Sequence, residues 1–158
     1  MKKILPLIFM VIISCKTKQE IADVKVVTAN NEFLEILVEQ NDNISFTLKN
    51  ISEEPIYIYQ LGKLDIEKYE ESSWQKLKIL PCPCDAPCQA GKEKEQLLAG
   101  ETFILIWNKQ ESWCGDKKEG PVRETIKQEV GTGKYRISIN FSSDKTSKKS
   151  CYKEFEIQ

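Results

Sequence analysis

The sequence predicts an all-β protein, an antiparallel β-sandwich, and three observations carry that expectation. Asn43-Ile44-Ser45-Phe46-Thr47-Leu48-Lys49 alternates strictly, with Ile44, Phe46 and Leu48 on one face. Tyr135-Arg136-Ile137-Ser138-Ile139-Asn140-Phe141 does the same, with Tyr135, Ile137, Ile139 and Phe141 together. Further strand-like segments recur at short, regular spacing with turn residues between them.

In chain order, residues 23–28 and 33–39 carry valine, isoleucine and phenylalanine and read as hairpin partners, turning at Asn30-Asn31. Residues 43–49 form the first alternating strand. Residues 55–59 start at Pro55, a position that suits the first residue of a strand. Residues 74–79 and 152–157 are further strands. Residues 102–107 are continuously apolar after Thr102, which predicts a central strand covered on both faces. Residues 122–130 stay open, because Val122, Ile126 and Val130 satisfy both a four-residue and a two-residue period.

The chain has 158 residues, enough for one domain of the usual size of about 100–200. Its 23 basic and 24 acidic side chains nearly balance, so nothing points to a nucleic-acid partner. Histidine is absent. That excludes Ser-His-Asp and Cys-His nucleophiles, imidazole metal ligands and a histidine general base.

The N-terminus carries the sharpest signal. Lys2 and Lys3 precede a ten-residue apolar run, Ile4 to Ile13, broken only by Pro6. Spanning a bilayer takes about 20 apolar residues, so the run is a secretion signal and not a stable span. Its end, Ile12-Ile13-Ser14-Cys15, resembles the bacterial lipobox. The resemblance implies cleavage before Cys15 and acylation of that cysteine with diacylglycerol and palmitate-type chains. The expected organisation is a signal helix over 1–14, removed on maturation, a lipidated polar tether over 15–21, and one domain over 22–158. Lys16 stands where an inner-membrane retention signal of enterobacterial lipoproteins has aspartate, so the resemblance implies the outer membrane of a Gram-negative host.

Within the domain, Leu48-Lys49-Asn50-Ile51-Ser52-Glu53-Glu54-Pro55, Leu98-Ala99-Gly100-Glu101-Thr102 and Gly133-Lys134-Tyr135-Arg136-Ile137 resemble bacterial immunoglobulin-like sandwiches. The last resembles the start of the penultimate strand, where the tyrosine forms a corner. Ile137 stands where antibody domains have a paired cysteine. The resemblance implies an immunoglobulin-like fold and leaves activity open.

Five cysteines lie in the domain: Cys82, Cys84, Cys88, Cys114 and Cys151. In an oxidising envelope compartment they are disulfide candidates, with Cys151 expected to reach the 82–88 cluster and Cys114 to take a second bond. The alternative is a soft metal site on Cys82, Cys84 and Cys88, helped by Asp85. Gly131-Thr132-Gly133-Lys134 lacks the other residues of a phosphate loop and reads as a turn. Lys145, Lys148 and Lys149 read as a solvated tip. Trp74, Trp107 and Trp113 read as core or rim packing.

Three functions fit. The first is a lipid-anchored, non-enzymatic binding or structural module with no cofactor, held to the membrane by Cys15 and meeting an envelope or extracellular protein. The others are a proteinase-inhibitor-like sandwich using the stiff 81–88 loop, and a thiolate metal-binding lipoprotein.

Overall fold

The structure is a computed structural model, and the residues it describes are 32–88, 91–117, 120, 122–143 and 148–158. The expected signal, lipidation site, tether and the strand over 23–28 therefore lie outside the described residues. What is described is all-β, with no helix among these residues.

Eleven strands follow one another: β1 (Leu34–Gln40), β2 (Ile44–Asn50), β3 (Ile56–Tyr59), β4 (Ile66–Glu70), β5 (Ser73–Lys76), β6 (Lys94–Leu97), β7 (Thr102–Trp107), β8 (Gln110–Cys114), β9 (Thr125–Glu129), β10 (Gly133–Ser142) and β11 (Lys149–Ile157). One sheet has the order β1-β2-β7. The other is organised on β10, whose one edge pairs with both β3 and β4 while the other pairs with β11. Strand β5 extends it beyond β4, and β6 beyond β3. All pairings are antiparallel, and β8 and β9 form a separate hairpin. The open segment 122–130 thus resolves as strand β9, its β-branched side chains settled by pairing with β8.

The alternating strands bury the faces their sequences specify. Ile44, Phe46 and Leu48 of β2 and Tyr135, Ile137 and Phe141 of β10 are almost completely buried. Aromatic rings join the two sheets: Phe46 lies 5.4 Å from Phe155, and Trp107 lies 5.9 Å from Tyr135 and 6.4 Å from Phe155. Burying each such side chain contributes roughly 1.5–3 kcal/mol, which makes this seam the main attraction between the layers. The Tyr135 hydroxyl donates to the Gly131 carbonyl at 2.5 Å, closing the corner where the chain enters β10. The β4–β5 turn places Glu71 and Ser72 at φ 47 and 66, the paired left-handed conformation of a tight two-residue hairpin turn.

Asn50 ends β2 and is fully buried. Its amide donates to the Glu54 and Leu97 carbonyls at 2.8 and 3.0 Å, while its oxygen accepts from the Ser52 amide and hydroxyl. One side chain therefore ties the β2–β3 turn to the end of β6. Asn50→Ala leaves these groups without partners, and its expected cost is about 2–4 kcal/mol, read as a fall in denaturant midpoint.

Lys153 sits on the inward face of β11, opposite Ile137, at 3% exposure. Its ammonium is buried and has no hydrogen-bond partner among the described residues. Burial pushes its pKa below the usual 10.5, against a smaller upward pull from Glu35. The unfolded chain then binds the proton more tightly than the folded one, so stability rises with pH through the window below 10.5. Lys153→Met is expected to stabilise the protein at neutral pH, on the order of 1 kcal/mol, and to flatten that rise. Urea unfolding at neutral and alkaline pH measures both.

A candidate binding groove along an open strand edge

Strand β7 departs from the expectation of a doubly covered central strand. It is at the edge of its sheet, pairing with β2 alone among the described residues. Leu105 and Trp107 face the core, but Ile104 and Ile106 on the other face are 57% and 62% exposed. The Asn50 backbone N–H donates to the Glu101 carbonyl at 3.0 Å, which fixes the phase of the β2–β7 ladder. By antiparallel alternation, Phe103, Leu105 and Trp107 direct their backbone groups to β2. Thr102, Ile104 and Ile106 direct theirs to the open edge.

A groove of about 910 Å³ runs along this edge, within the range of about 300–1,000 Å³ usual for ligand clefts. Five consecutive residues, Phe103 to Trp107, line it, as an edge does and a single strand face does not. The opposite side is built from Leu61, Gly62 and Leu64 of the β3–β4 connection, residues 79–83 after β5, and the β8–β9 hairpin. Among the described residues Lys127 is the one ionisable side chain in the lining, and it is exposed.

Several bonds hold that opposite wall in place. The Ser112 amide donates to the Lys78 carbonyl at 2.7 Å, and the Leu80 amide donates to the Ser112 hydroxyl at 2.8 Å. The Lys78 amide donates to a Glu111 carboxylate oxygen. The Cys84 amide donates to the Thr125 hydroxyl at 2.8 Å. Asp85, in a left-handed turn at φ 52, takes a fork of hydrogen bonds from the Arg123 guanidinium and amide. Those bonds hold its pKa at about 2. Nearby, a Cβ on Gly62 would stand 2.7 Å from the Gly91 Cα, so this backbone approach requires glycine.

The cysteines complete the wall. Cys84 is bonded to Cys114 at the end of β8, and Cys82 to Cys88 across the loop, with Cα separations of 5.6 and 6.0 Å. Cys114 thus pairs with the cluster. The expected bridge from Cys151 is not made. Cys151 is a buried thiol on the inward face of β11, its Sγ 3.8 Å from the Ile139 carbonyl, in the inter-sheet core. Cys84 and Asp85 instead engage the β8–β9 hairpin, and the cluster follows them. The same two disulfides take the sulfurs of Cys82, Cys84 and Cys88, the three thiolates the metal alternative requires. Among the described residues no group of three or more metal-type ligands occurs.

Other singled-out residues fall into place. Trp107 is core, while Trp74 is half-buried beneath the Arg136 guanidinium, 4.4 Å from its ring centre. Trp113 is half-buried with the Lys78 ammonium 5.9 Å from its ring centre. Gly131 and Thr132 turn the chain into β10, whose first residues are Gly133 and Lys134. Lys145 lies outside the described residues. The groove itself was missed by sequence reasoning, and its available signal was the run Ile104-Leu105-Ile106 followed by no covering apolar helix or strand.

No protein-family model matches the chain, and no curated protein shows significant similarity to it.

Alkylation of unreduced, denatured protein, followed by peptide mapping, should label Cys151 alone among the five domain cysteines and recover both bridged peptide pairs. Cys84→Ser with Cys114→Ser opens a loop with a sequence separation of 30. The expected loss is about 3–4 kcal/mol, seen as a lower Tm.

Proposed function

We propose that the chain is a lipid-anchored protein of the bacterial cell envelope whose immunoglobulin-like β-sandwich acts as a non-catalytic binding module. The observation that carries the anchor is the run from Lys2 to Cys15, with its basic start, short apolar core and cysteine after Ile12-Ile13-Ser14. Acyl chains on Cys15 hold the protein at the membrane, since each buried methylene adds about 0.8 kcal/mol. The immunoglobulin-like reading is supported by two facing antiparallel sheets and by the Tyr135–Gly131 corner. The binding reading is supported by the groove beside β7, an open edge with exposed isoleucines. The absence of histidine favours recognition over acid–base or nucleophilic chemistry.

Expression in a bacterium fed alkyne-palmitate tests the anchor. The wild-type chain should carry the label and stay with the membrane fraction, whereas Cys15→Ser should lose the label and leave that fraction. A wild-type chain secreted without lipid would overturn the anchoring.

A further inference from the structure

The groove beside β7 offers more than apolar surface: it presents backbone. Thr102, Ile104 and Ile106 turn their N–H and C=O groups toward it, and β7 has no second strand among the described residues. An unpaired edge of this kind templates strand addition. Among the described residues the lining contains no acidic side chain, and exposed Lys127 makes no ion pair or hydrogen bond. We propose that the groove binds an extended segment of a partner protein, which adds as a strand to the open edge of β7. That segment alternates aliphatic side chains against Ile104 and Ile106 and carries a carboxylate that reaches Lys127.

The charge of the lining selects a partner segment over a second copy of this chain. The groove is bounded on one side by β7 and on the other by Leu61, Leu64 and residues 79–83. A second copy pairing through its own β7 would bring the same lining, with another Lys127 and no acid among the described residues, and would leave that charge unmatched. Main-chain pairing supplies affinity, and the alternate side chains supply selectivity. The positive charge of Lys127, unmatched in the lining, sets the sign of the partner's charge.

The proposal rests on the binding reading and not on the lipid anchor, so a failure here leaves the palmitate experiment undisturbed. The probe is a fluorescent, end-capped heptapeptide of alternating valine and threonine with glutamate at both ends, titrated against full mature protein by anisotropy. A second peptide has lysine at both ends. The glutamate peptide should bind and the lysine peptide should bind more weakly. Lys127→Glu should weaken the glutamate peptide by about fivefold and reverse the preference. Ile104→Pro removes one edge N–H without touching the β2 ladder, a change that edge strands tolerate. It should abolish binding while leaving circular dichroism and Tm near wild type. Ile104→Ser keeps the N–H and should retain weakened binding, should the proline variant fail to fold.

No binding at about 1 mM peptide would overturn the proposal, as would equal binding of the two peptides or unchanged binding by a folded Ile104→Pro. A mass that doubles with concentration and reverts in Ile104→Pro would make a second copy the occupant, and would equally overturn it.

Discussion

Trp107 is the residue on which the remainder of the structure depends. Its ring is buried against Tyr135 and Phe155 of the opposite sheet, so it helps hold the two layers together. Its indole N–H donates to the Gln110 carbonyl at 2.9 Å, which fixes where the chain leaves β7 and starts β8. It also lines the groove. One side chain therefore joins core packing, hairpin placement and the candidate site. Because the ring must face inward at 107, alternation sends the 104 and 106 side chains outward.

That constraint explains why the cysteines lie where they do. An exposed apolar edge is an aggregation hazard unless something shields or employs it. The β8–β9 hairpin and residues 78–85 form a rampart opposite β7, and the hairpin is short and mostly polar, with little apolar area to hold it. Two disulfides, the Asp85–Arg123 fork and the Ser112 bonds supply that cohesion. A metal on Cys82, Cys84 and Cys88 would need the same sulfurs, and so would a bridge to Cys151. Stiffness in this wall also reduces the entropy lost when a ligand enters beside it.

The parts legible in the sequence were those where one face alone is apolar. Strands β2 and β10 alternate cleanly, because each has one face in the core and one in solvent, and both lie where the pattern puts them. Strand β7 misled for the converse reason. A strand buried on both faces and a strand with one face on a groove carry the same apolar run. Strands β4, β6 and β8 are short and polar, as in Gln110-Glu111-Ser112, and owe their extended form to their neighbours. The sequence left open which cysteine Cys114 takes, and the place of Cys151 depended on β11 register, which its spacing did not encode. Buried Lys153 was equally hidden, since a lysine among Tyr152, Glu154 and Glu156 reads as solvated.

Strand β7 keeps one edge open, and amide hydrogen exchange in the free protein reads that edge residue by residue. Phe103, Leu105 and Trp107, whose amides pair with β2, should exchange slowly, and Ile104 and Ile106 should exchange fast. Slow exchange at both sets would mean that the edge is already covered, and the groove would not be a binding site.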